Sequence, residues 1–306
     1  MTRRTILCTL AAAGLATMAV AAYQAPAASA PKVVEVDKLK DNLFVLKGGG
    51  GNTALFVTAT GAVVVDTKLP GWGQPLLDKI KTLTDKPVTM VINTHTHFDH
   101  TSGQVEFPAS VEVVAHENTK TYMQQANPVY GLQTGPQPNI FKDHGGRGMA
   151  ARTFKDRLTL GKGPDQIDLY HFGRAHTGGD AYVVFPALGV MHAGDTFPSR
   201  DLPIMDMNNG GSGVDFSATL AKAAAVAGVT TIINGHNATT TTPADLKTYS
   251  EFLKDFVAAA QAAKKAGQSV DDFAASWKTP AKYTGYATPQ APRVKADAQV
   301  VYAESK

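Results

Sequence analysis

The sequence predicts an α/β fold in which strands and helix are followed by strands and helix again, as two similar halves packed into one domain. Three observations predict it. Short β-branched or apolar runs recur between Gly, Asn, Asp and Thr turn clusters, a segment with helical spacing follows them, and the same order returns after residue 166. At 306 residues, 43% hydrophobic and 18% charged, the chain has enough apolar material for one large core or two smaller ones, which excludes overall disorder.

The first thirty residues stand apart. Arg3 and Arg4 precede an apolar run from Ile6 to Ala22 with no acidic residue, and small-residue patterns occur at Ala19-Val20-Ala21 and Ala28-Ser29-Ala30. This pattern is that of a secretory signal, with cleavage near residue 21 or 30. Pro31 directly after Ala30 favours the earlier site. Thr2-Arg3-Arg4-Thr5-Ile6-Leu7 also resembles a twin-arginine export signal. The expectation is a periplasmic or secreted protein with residues 31–306 as a single domain and no stable membrane association after cleavage. The only cysteine, Cys8, lies in the signal, so neither disulfides nor thiolate metal ligands remain. Losing Arg3 and Arg4 lowers the formal charge from +3 to +1 (3 − 2), which gives no general electrostatic reason to bind nucleic acid or an anionic membrane, and the expected partner is a small-molecule substrate.

Past the signal, strands are expected at Val33 to Val36, Leu43 to Leu46, Thr53 to Val57 and Ala62 to Val65. Gly48 to Gly51 suit a mobile hairpin or a close backbone approach. Leu76, Leu77, Ile80 and Leu83 give a helix over Gln74 to Leu83, before a buried-type strand at Val88 to Ile92. A strand at Val111 to Ala115 and a helix over His116 to Gln125 lead to a Gly-, Pro-, Asn- and Gln-rich loop reaching Arg152, a candidate lid together with the glycines. Strands return at Gln166 to His171, Ala181 to Phe185 and Gly189 to His192. A helix at Phe216 to Ala227 and a strand at Thr230 to Ile233 come next. The tail is helical over Ala244 to Ala266 and Val270 to Trp277.

Of nine histidines, five stand with two aspartates at predicted strand ends: His95, His97, Asp99 and His100, then His176, Asp195 and His236. Three histidines and an aspartate within six residues serve no packing purpose. In an extended segment His95 and His97 point to one side and can share an ion, whereas Asp99 and His100 share a second only if the chain turns between them, and a turn suits Phe98 to Gly103. Imidazole and carboxylate donors select zinc, and three protein ligands leave a position open for water. A water shared by two zinc ions becomes a hydroxide near neutral pH, able to attack a carbonyl or phosphoryl group. Isolated histidines are ordinarily packing or surface residues, and His116, His144 and His171 are read so. His192, three residues before Asp195, is a candidate for supporting it.

These residues resemble the metallo-β-lactamase superfamily, whose signature is H-x-H-x-D-H followed by a histidine, an aspartate and a last histidine. The resemblance runs from about Asp41 to the helix after Pro243. It implies a four-layer αββα sandwich with the site at one edge between two sheets. It further implies that His95, His97 and His176 hold one zinc, that Asp99, His100 and His236 hold a second, and that Asp195 bridges them. Asp66 would support the metals from behind, and Asp99 would orient the nucleophile and take its proton. The family's β-lactamases have cysteine or serine near the place of Asp195, which favours an ester, lactone or thioester over a β-lactam. The stretch His176 to Pro186 is nonetheless similar to that of the zinc β-lactamases, and no Lys and Arg cluster for a glutathione thioester is present in the C-terminal helices. The same motif would also suit a mononuclear iron dioxygenase or a zinc-binding protein without catalysis. Arg174, Ser199, Arg200, Asn208 and Asn209 are candidates for touching substrate.

Overall fold

In the computed structural model, which describes residues 31–306, the polypeptide forms two sheets. The proposed signal lies outside the described residues. The first sheet is ordered β1 (Glu35–Lys40), β2 (Leu43–Lys47), β3 (Thr53–Val57), β4 (Ala62–Val65), β5 (Val88–Ile92), β6 (Glu112–His116) and β7 (Arg152–Phe154). Strands β1 to β4 pair antiparallel and β4 to β7 parallel. The crossover from β4 to β5 is helix α1 (Gly73–Lys81). Next come α2 (Phe98–Thr101), α3 (Glu117–Gln125) and α4 (Ile140–Asp143).

The second sheet repeats the plan with β8 (Arg157–Leu160), β9 (Ile167–Tyr170), β10 (Tyr182–Phe185) and β11 (Val190–His192) as an antiparallel meander. Helix α5 (Gly213–Ala224) then crosses to β12 (Thr231–Ile233), parallel to β11. Helices α6 (Pro243–Lys265), α7 (Val270–Ser276) and α8 (Ala291–Glu304) complete the chain. Among the described residues no helix is long and apolar enough to cross a membrane.

Side-chain alternation decides the layering. Val63 and Val65 of β4 join Phe56 and Ile92 against Val183, Phe185 and Leu169, forming a core between the sheets. Their neighbours Val64, Leu55 and Val91 face the other way, onto Leu76 and Ile80 of α1. On the far side Tyr182, Val184 and Met191 meet Phe216 and Leu220 of α5 and Phe252 and Phe256 of α6. Each central strand is thus buried on both faces, which is why it reads as an unbroken apolar run. The result is a four-layer αββα sandwich.

Several boundaries differ from the sequence expectation. The first strand begins two residues later and reaches Lys40, because its pairing with β2 rather than its hydrophobicity sets its length. Strands β7 and β8 lie in polar sequence (Arg152-Thr153-Phe154 and Arg157 to Leu160) whose periodicity is too short to read. Helix α8 escapes for another reason: Val294, Ala298 and Val301 are its buried face, yet the intervening alanines blur the stripe. The expected loop up to Arg152 contains α4.

Candidate metal centre

The two halves place their functional groups equivalently. The C-terminal ends of β4 and β5 carry Asp66 and the segment Thr94 to His100, while those of β11 and β12 carry Asp195 and His236. His176 comes from the connection between β9 and β10. The chain turns at Phe98 into α2, as the spacing of Asp99 and His100 requires.

All seven predicted residues converge. One ligand atom each from His95, His97, His176 and Asp195 lie within 4.8 Å of one another, and so do those of Asp99, His100 and His236. Asp195 stands between the groups, with Oδ2 3.1 Å from His236 Nε2 and Oδ1 3.3 Å from His100 Nε2.

Hydrogen bonds fix which nitrogen each imidazole presents. Thr94 donates its hydroxyl to Asp66 Oδ2 at 2.7 Å, so it accepts from His95 Nδ1 at 2.9 Å. That leaves His95 Nε2 bare, buried and without a partner. His97 Nε2 donates to Asp206 Oδ2 at 2.7 Å, and His176 Nδ1 donates to the Ile204 carbonyl at 2.7 Å. Their other nitrogens, His97 Nδ1 and His176 Nε2, face each other at 2.9 Å. His100 Nδ1 donates to Asp66 Oδ2 at 2.7 Å and turns Nε2 toward Asp99, Asp195 and His236. Inward nitrogens crowded in a buried space, with the outer nitrogens of His95, His97, His100 and His176 held, are the arrangement a cation satisfies. The donor set therefore fits divalent metal, and the two groupings have room for two ions.

Charge follows the same division. Burial and the neighbouring His100, His176 and His97 hold His95 well below its ordinary value, and burial with His97 lowers His176 to about 3. On the other side burial is outweighed by carboxylates: Asp195 raises His236 to about 9, and Asp195, Asp99 and Asp66 raise His100 well above the ordinary range. Burial alone would push Asp99 up, but His100 and His236 hold it at about 2. The carboxylates thus favour the protonated form of His100 and His236, and a metal ion would compete with those protons.

The four glycines serve as a close backbone approach rather than as a free hairpin. Gly51 donates its N–H to the Asp99 carbonyl at 3.1 Å, and a Cβ on Gly51 would lie 2.1 Å from Cε1 of His100. Beneath them Lys68, fully buried, donates to the carbonyls of Leu46 and Gly51. Burial lowers its ammonium to about 7 against the opposing pull of Asp66 and Asp99. Gly235 is equally constrained, since a Cβ there would meet Asp195 Oδ1 at 1.8 Å.

Sequence reasoning missed Asp206, Lys68 and the Ile204 carbonyl, and placed Thr94 at the start of the metal segment without a role of its own. Asp206 could be suspected only from its neighbour Asn209, whose Nδ2 bonds Asp206 Oδ2 at 2.6 Å. Two suggested substrate contacts are occupied otherwise: Arg174 pairs with Asp215 and Glu304, and Arg200 with Asp245. His192 braces the turn before Asp195, accepting from Gly194 N–H at 3.1 Å. His116 and His171 stack on each other with ring centroids 4.0 Å apart, while His144 caps its own turn at Ile140.

Comparison with known proteins agrees with this geometry. The family described as "Metallo-beta-lactamase superfamily" matches residues 46–257. The chain is 29% identical over 183 residues to the "Metallo-beta-lactamase type 2" of Elizabethkingia meningoseptica, covering 55% of this chain and 64% of that protein. It is 37% identical over 71 residues to "Metallo-beta-lactamase domain-containing protein 1" of Rattus norvegicus, covering 22% and 28%. The chain thus spans less than two thirds of the length of these curated relatives. Among solved structures it is similar to the inverting sec-alkylsulfatase Pisa1 from Pseudomonas sp., with a TM-score of 0.64 and 15% identity over 88% of this chain and 50% of that one. A metallo-beta-lactamase from Pontibacter korlensis aligns with a TM-score of 0.58 and 18% identity over 73% of this chain and 100% of that one. At such identities these two likenesses speak for the fold alone.

Proposed function

The chain belongs to the metallo-beta-lactamase superfamily, and from that premise we propose that it is an exported hydrolase with two zinc ions that opens an ester, lactone, thioester or related carbonyl bond. The observation that carries the reading is the set of inward-facing donors: His95 Nε2, His97 Nδ1 and His176 Nε2 on one side, and Asp99, His100 and His236 on the other, with Asp195 between. A storage site would gain nothing from a partly open face, yet the His236 side chain is 39% exposed and that of Asp99 20%.

Zinc bound there would supply an acidified water and positive charge for the oxygen that becomes negative during attack. Asp99, whose Oδ2 lies 3.3 Å from His236 Nε2 at the open face, would orient the attacking water and receive its proton at a carboxylate oxygen. Asp66 serves from behind, its Oδ1 accepting the Thr94 N–H and its Oδ2 fixing His100. Asp206 and the Ile204 carbonyl do the same for His97 and His176.

A β-lactam is the second reading, favoured by the similarity to the Elizabethkingia protein. Elemental analysis and one activity panel of ester, lactone, thioester, phosphodiester and β-lactam bonds, run on the same preparation, test both. Two zinc per chain with turnover of a carbonyl substrate supports the proposal. One iron per chain, or two zinc with no turnover in any class, overturns it.

A further inference from the structure

Beside His97 lies a cavity of about 340 Å³ whose lining does not include His236. One wall is the metal segment itself, Thr96 to Phe98. The rest of the lining comes mainly from α3, α4 and the stretch between them, including Met123, Val129, Ile140 and Phe141. Met123, Ile140 and Phe141 of this lining pack with Val105 and Met149 into a small apolar cluster. Phe98 stands 36% exposed at the opening.

The amide side chains in the lining are already engaged with the protein. Asn139 donates to the carbonyls of Met123 and Gln124, Gln137 to those of Thr134 and Gly135, and Asn127 to that of Asn208. Gln133 accepts from Val129 N–H, and Asn209 donates to Asp206. No lysine or arginine lines the space. A ligand group entering it would meet mainly apolar surface, with a few hydroxyls and the single carboxylate of Asp143, and no cation to hold an anionic tail.

We propose that this cavity binds an uncharged hydrocarbon substituent, alkyl or aryl, attached to the bond being cleaved, and that Met123, Ile140 and Phe141 set its length. This assignment rests on the proposed hydrolase reading. The cleaved bond sits at the open face beside Asp99, Asp195 and His236, and the group joined to it extends past His97. The volume admits a substituent of roughly six to ten carbon atoms, by comparison with the share of liquid volume a water takes.

Two substrate series on the zinc-loaded enzyme test it: esters with acyl chains from acetyl to octanoyl on one small alcohol, and acetates of methanol to octanol. In one of the two, kcat/KM rises about three- to four-fold per methylene until the space fills. The responding series identifies which side of the bond enters. Ile140→Trp, which occupies the space, flattens that slope, with folding checked by circular dichroism. Calorimetric binding of the free alcohols and carboxylates gives a readout without turnover, and affinity follows chain length in the same way. If no ester is hydrolysed but binding tracks chain length, the hydrolase reading falls while the cavity assignment stands. If both series and the binding are flat, the assignment is overturned.

Discussion

The Nε2 atom of His97 donates to Asp206 Oδ2 at 2.7 Å, and this bond determines that Nδ1 is the nitrogen His97 turns toward His176. Asp206 also accepts from Tyr130 N and from Asn209 Nδ2, so it does not follow the imidazole if the ring rotates. Asp206→Ala is expected to lower zinc affinity by about 10- to 100-fold, as loss of a supporting carboxylate does at other metal sites. Competition with a chromogenic chelator measures it. An unchanged affinity would remove Asp206 from any supporting role.

His97→Ala and Asp195→Ala take away donors from the cluster itself. Both are expected to lower metal content and turnover together, Asp195→Ala affecting both ions because it stands between the two groups. Elemental analysis and activity on the same sample check this. Full activity in either variant would exclude that residue from the site.

Gly51→Ala places a methyl group 2.1 Å from His100 Cε1, so the hairpin or the ring must shift. The expected cost is about 1 to 3 kcal/mol of stability, typical of overpacking, with a loss of metal where His100 is what moves. Denaturant midpoints with and without zinc separate the two effects. A variant as stable and as metal-rich as the parent would contradict the packing described.

His116 supplies a pH dependence. Its Nδ1 accepts from Asn118 N–H at the start of α3, and burial with the neighbouring His171 lowers it from 6.5 to about 4. The unfolded chain therefore binds the extra proton between these values, so the contribution is present above the unfolded value and is lost as pH falls from 6.5 toward about 4. Lowering the pH to about 5 should cost the wild type roughly 2 kcal/mol that His116→Asn, which retains a capping group, does not lose. Urea midpoints at the two pH values give the comparison, and parallel losses in both proteins would refute it.

Asp297 predicts the opposite slope. Burial raises it to about 8 despite Arg293, and its Oδ2 has no partner, while Met205 N–H reaches Oδ1 at 3.2 Å. The folded form holds the proton that the unfolded chain has released, so stability falls as pH rises through the folded value. Asp297→Asn should gain on the wild type by roughly 2 kcal/mol between about pH 6 and pH 8.5. A constant difference across that range would show that the carboxyl is ionised throughout.

The donor set was readable because it is concentrated in strand ends whose flanks are apolar runs and glycines: His95 to His100 after Val88 to Ile92, and His236 after Thr231 to Ile233. The supporting set was not. Asp206 acts on a residue 109 positions away, from a connection with no periodicity, and Ile204 contributes only a carbonyl, which any residue carries. Lys68 looks like an ordinary surface lysine, and its burial follows from its position beneath the glycine hairpin, a tertiary fact. Strands β7 and β8 were hidden similarly, since pairing with β6 and β9 rather than composition defines them.

The sharing of the donors between the two sheets has a mechanical consequence. His95, His97, Asp99 and His100 follow a strand of the first sheet, whereas His176, Asp195 and His236 belong to the second. Ions held by both would act as rivets through the sandwich, and separating the halves would mean breaking coordination bonds as well as exposing the apolar interface. Neither half retains a complete set of donors, so a chain cut between Phe154 and Arg157 would be expected to leave two pieces that bind metal only when joined again.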